Sequence, residues 1–122
     1  MPMKKTMVVF FMICIFALCG SVTAEENLGI KVYPGAKLDA ETTKFLKEGL
    51  NMKGTAYRTS DPVAKVLVFY KAQPGLKFMG GDAKNAMFRK DGKVDVTIQS
   101  PWQNMKTGQM MKDTLISIVQ IE

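Results

Sequence analysis

The sequence predicts an α+β domain, a three- or four-stranded antiparallel sheet with one or two helices packed on one face. Three observations predict it. Val63, Val66, Leu67 and Tyr70 recur at the i, i+3, i+4, i+7 spacing that gives a helix one apolar stripe. Asp91-Gly92, the pair favoured in a two-residue type I′ turn, stands between two candidate strands. Thr114 to Ile121 is nearly all apolar and β-branched, the pattern of a central strand covered on both faces.

In chain order, residues 1–24 read as a secretory signal peptide. Lys4 and Lys5 form a basic start, Met7 to Leu18 is an unbroken apolar run, and Val22-Thr23-Ala24 supplies small residues for cleavage after Ala24. The run falls short of the roughly 20 apolar residues that a spanning helix needs. Lipidation at Cys19 is the alternative, but bulky Leu18 stands where a small residue is expected; Cys14, after Ile13, fits worse. Taking these 24 residues from 122 leaves 98, residues 25–122, as one domain with no membrane span. Both cysteines leave with the leader, and losing Lys4 and Lys5 lowers the net charge from +6 to +4. A cysteine-free exported domain holds itself together by its core, without disulfides.

Asn27 to Tyr33 reads as extended, closed by a turn at Tyr33-Pro34-Gly35-Ala36, where Pro then Gly suits a type II turn. Asp39 then caps a helix ending at Gly49, and Gly54 to Thr59 is a short strand. The helix with the apolar stripe runs from Pro62 to about Ala72, with Asp61 or Ser60 as N-cap and Pro62 in its first turn. Gly80 to Lys84 reads as a flexible turn; it lacks the spacing of a phosphate-binding loop. Ala86–Lys90 and Lys93–Gln99 form the hairpin around Asp91-Gly92, and Val94, Val96 and Ile98 alternate with polar residues. Ser100 to Asp113 is a long polar connection, and the apolar strand follows it.

Three short segments carry a resemblance: Tyr33-Pro34-Gly35-Ala36, Thr59-Ser60-Asp61 and Phe69-Tyr70-Lys71. With them the chain resembles a loose class of small exported bacterial α+β domains of uncharacterised function. The resemblance covers about half of the mature chain in scattered pieces. It implies the fold and no particular activity.

The chain has no histidine, and both cysteines fall in the leader, so the commonest general base and strongest nucleophile are missing from the mature domain. No serine sits in a nucleophile-elbow sequence, and no spacing pairs two carboxylates. A small envelope enzyme is the least favoured reading. The long connection holds the one tryptophan, Trp102, with Met105, Met110, Met111 and Lys106. These five are the candidate binding residues, an adaptable apolar surface of soft side chains. In the competing structural reading Trp102 pins the connection to the core and the methionines fill gaps. Trp102→Ala separates the two, since a site residue is lost without unfolding and a core residue is not. Met105, Met110 and Met111 also suit Cu(I), which soft ligands select, so a copper-handling protein is the alternative metal reading.

In residues 25–122, fifteen basic against eleven acidic residues invite an anionic partner, and Arg89, Lys90 and Lys93 are the one cluster. No aromatic residues interleave with the lysines as in a nucleic-acid surface. The expectation is a periplasmic (alternatively secreted) non-enzymatic binding or accessory domain with no cofactor. Its partner would be an envelope protein or an anionic envelope component.

Overall fold

A computed structural model describes residues 25–121. The expected signal peptide, with its expected cleavage after Ala24 and with Cys14 and Cys19, lies outside the described residues. Strands dominate. β1 (Glu26–Asn27) and β2 (Ile30–Lys31) form a small hairpin where an extended segment is expected. Next come β3 (Lys37–Leu38), α1 (Ala40–Lys44) continuing as a π-helical segment (Phe45–Gly49), β4 (Lys53–Thr59) and α2 (Val63–Lys71). The chain then adds β5 (Leu76–Gly81), β6 (Asn85–Lys90), β7 (Val94–Gln99), β8 (Trp102–Gln103), β9 (Met110–Met111) and β10 (Thr114–Gln120). Neither helix is long and apolar enough to cross a membrane.

Six strands make one antiparallel sheet in the order β3-β4-β10-β7-β6-β5, and β8 and β9 pair as a separate ribbon. This corrects the expected three- or four-stranded sheet with its helices on one face. The two extra strands are the edges. β3 has only two residues, and β5 is exposed along most of its length, so neither needs the apolar alternation that reveals an internal strand. β5 also absorbs Gly80-Gly81, expected in a turn, and its register to β6 slips between Phe78 and Gly80, the signature of a bulge.

The helices sit on opposite faces, and β10 explains why. Its residues are buried from Thr114 to Val119, and side chains alternate across a strand. Ile116 and Ile118 enter a core with Tyr57, Phe88, Val96, Ile98 and the α2 residues Val63, Val66 and Tyr70. Leu115 and Val119 enter the other, with Ala56, Trp102 and Leu46 of the π-helical segment. A strand apolar on both faces requires cover on both.

Two turns follow directly from their residues. Asp91 (φ 55) and Gly92 (φ 68) both take the left-handed region, and Lys93 N–H donates to Lys90 O at 2.9 Å, as a type I′ turn requires. Ala36 N–H closes the Pro34-Gly35 turn onto Tyr33 O at 3.0 Å. The caps differ. Pro62, expected in the first turn, is itself the N-cap of α2, with its carbonyl accepting from Lys65 and Val66. Asp39 precedes α1, but its carboxylate accepts from the Thr42 hydroxyl instead of a backbone amide.

The segments that carry the resemblance meet in space. Tyr33 O–H donates to Asp61 Oδ2 at 2.6 Å, and Tyr33 N–H donates to Tyr70 Oη at 3.1 Å. Phe69 stands edge-on between the rings of Tyr33 (5.4 Å) and Tyr70 (4.9 Å). Asp61, expected to cap α2, anchors Tyr33.

Candidate functional site

Trp102 is 3% exposed and packs among Leu46, Ala56, Leu115 and Val119. Its Nε1–H donates to Asp113 Oδ1 at 2.9 Å, while Arg58 Nε–H donates to Asp113 Oδ2 at 2.8 Å. The Arg58 guanidinium lies 5.2 Å from the centre of the indole ring. That hydrogen bond to Asp113 holds the Arg58 pKa above its ordinary value. Arg58 also lies 3.8 Å from Asp39 Oδ1, so a single guanidinium links the indole, the β9–β10 junction and the start of α1. A polar group loses less on burial when its partners are in place, and this indole N–H has one.

From Trp102 the connection runs out as the β8–β9 ribbon rather than as an irregular loop. Its six-residue tip is organised by Asn104, which the sequence reading passed over. Asn104 Oδ1 accepts from Lys106 N–H at 2.9 Å and from Thr107 N–H at 3.1 Å, an Asx turn. Its amide Nδ2–H donates to Glu41 Oε1 at 3.3 Å, tying the tip to α1, and Lys106 Nζ lies 3.5 Å from Glu41 Oε2. Asn104-Met105-Lys106-Thr107-Gly108 places Asn, Thr and Gly within five residues, a turn signal that lies in the sequence.

Between the ribbon tip and the α1–π segment lies an open cleft of about 420 Å³. Asn104, Met105 and Lys106 form one wall; Glu41, Thr42, Lys44, Phe45, Glu48 and Gly49 form the other. Ligand sites usually occupy about 300–1,000 Å³, apolar with a few polar groups. Here Phe45 and Met105 are the apolar part and the charges stand on the rim. A π-helical turn is rare and often found at functional sites. In this one Gly49 leaves room for the Phe45 ring, since a Cβ there would meet Phe45 Cδ1 and Cε1 at 2.8 Å. The sequence marks Gly49 only as the end of a helix and Phe45 only as one of its few apolar residues, with Glu41 near its capped start, and none of the three as a cleft residue.

The five candidate residues therefore separate. Met105 and Lys106 line the cleft, and Trp102 lies beneath the ribbon in the core. Met111 pairs with Trp102 and packs on the same core, whereas Met110 pairs with Gln103 and is 54% exposed. Strand alternation sends adjacent residues to opposite faces, so Met110 and Met111 do not face one ion together while β8 and β9 stay paired. Among the described residues no three of His, Cys, Asp or Glu gather as a metal-ligating group. Comparison with protein-family models, curated proteins and solved structures found no match to this chain.

Proposed function

We propose that the chain is an exported, non-enzymatic binding or accessory domain, and that it binds through the cleft between the α1–π segment and the β8–β9 tip. One observation carries this reading: Met105, 58% exposed, stands across a cavity from Phe45 with the ribbon anchored behind it by Trp102 and Asn104. Apolar walls at a charged rim suit an apolar group of a small ligand or of a partner's side chain. The lack of histidine, and of cysteine beyond the first 24 residues, supports binding over catalysis.

Ligand-observed NMR against a fragment set, with amide shifts mapped on the protein, tests it. Binders should shift the amides of residues 41–49 and 104–106, and Met105→Asp should abolish those shifts with the circular dichroism unchanged. Binders that shift residues elsewhere, or that survive Met105→Asp, would remove the cleft from consideration.

A further inference from the structure

The strand register gathers charge at one end of the sheet. Lys53 pairs with Gln120, Gln120 with Val94, and Val94 with Lys90, so β4, β10, β7 and β6 end together beside the Asp91-Gly92 turn. Lys53, Lys90 and Lys93 thus share this end, and Lys90 Nζ–H donates to Gly29 O of the β1–β2 turn at 3.1 Å. Lys53 and Lys93 form no ion pair among the described residues. Among the described residues, Asp91 lies in the turn itself and Glu48 lies two residues before Leu50; Asp95 is engaged by Arg89 at 2.7 Å. The opposite end of the sheet holds acids and bases together, Asp61, Asp82 and Asp113 with Arg58, Lys84 and Lys112, and Arg58 is paired with Asp113.

Two exposed aliphatic side chains belong to segments that reach this end of the sheet. Leu50, 50% exposed, joins the π-helical segment to β4 just ahead of Lys53. Ile121, 38% exposed, donates its N–H to Lys93 O at 2.7 Å. We propose that this end of the sheet docks on an anionic membrane surface, with the lysines among the lipid headgroups and Leu50 and Ile121 in the apolar boundary beneath. A soluble polyanion would satisfy the lysines but offers nothing to the aliphatic pair; a lipid interface takes both. Lysine suits this position because its stem lies in the boundary while its ammonium reaches the headgroups. The surface lies apart from the cleft and does not depend on it.

Flotation of the full chain with vesicles tests the proposal, using phosphatidylcholine alone and phosphatidylcholine with about a quarter of phosphatidylglycerol. The leader brings its own apolar run with Lys4 and Lys5, so the readout is the anionic-over-neutral partition ratio of parent against variant. Lys53→Gln with Lys93→Gln should lower that ratio roughly tenfold or more, since each lysine near such a surface is worth about fivefold. Leu50→Asn with Ile121→Asn should lower partitioning onto the anionic vesicles severalfold. Both pairs are exposed, and circular dichroism checks that the sheet is retained. An unchanged ratio in the lysine variant would overturn the proposal. So would heparin binding that falls with the lysines while the aliphatic variant floats like the parent, the behaviour of a soluble-polyanion site.

Discussion

Trp102 and Met105 are three residues apart, yet they do opposite jobs. The indole is enclosed by Leu46, Ala56, Leu115 and Val119, whereas the thioether stands in the open cleft. Truncating a buried tryptophan removes its packing and leaves a cavity, typically about 3–5 kcal/mol. Trp102→Ala should therefore lose about that much in urea unfolding followed by circular dichroism; a loss below about 1 kcal/mol would mean that the indole is no core residue. Met105→Ala should stay within about 0.5 kcal/mol of the parent, as exposed positions do, and weaken ligand binding instead. Asp113 fixes the indole by accepting from Trp102 and Arg58 at once. Asp113→Ala leaves the buried Trp102 N–H without a partner and Arg58 with Asp39 alone, and should cost about 1–3 kcal/mol, read by the same unfolding experiment. Composition could raise Trp102 as a candidate but not decide its side. A lone tryptophan in a polar connection reads alike as site or core until its neighbours, which come from three distant elements, are known.

At the scale of elements, burial on two faces sorts what the sequence could disclose. The interior strands β7 and β10 announce themselves because each apolar residue has a face to fill. The edge strands β3 and β5 do not, since one backbone side and much of the side-chain surface remain in water. The α1–π segment was legible as a helix but not as a cleft wall. In its π turn the Phe45 ring lies against Gly49, a contact that no periodicity encodes. Close approach also governs β4. A Cβ on Gly54 would stand 2.6 Å from Ile118 O and 3.0 Å from Val119 Cα of the central strand. That obstacle is backbone, so it cannot swing aside. Gly54→Ala should cost about 1–3 kcal/mol, the usual range for overpacking, and should speed amide exchange in β4 and β10 before other strands. Gly49→Ala meets only a ring that can turn, so it should spare stability and displace Phe45 within the cleft, visible as altered ligand shifts.

Across the whole molecule the three tyrosines bind the layers together, and their chemistry sets an alkaline limit. Tyr33 donates to Asp61, Tyr57 donates to Glu25 Oε2 at 3.1 Å, and Tyr70 lies in the core beneath α2. The hydrogen bond to the Asp61 carboxylate, then burial, pushes the Tyr33 phenol up to about 12. Burial is the largest cause for Tyr57 and Tyr70, both also raised above the ordinary value of 10. A phenol whose folded pKa exceeds its unfolded one favours the protonated native state. Its contribution is complete below the unfolded value and is lost as pH rises through the folded one. Stability should thus hold up to about pH 10 and fall between there and about pH 12, within the window that Tyr33 sets. The chain has three tyrosines and all are raised, so none should ionise freely while the fold lasts. Tyrosinate absorbance should then rise in one cooperative step that coincides with loss of circular dichroism. Early, independent titration of even one phenol near its unperturbed value would show that the Tyr33–Asp61 contact, or the burial of its companions, does not persist in solution.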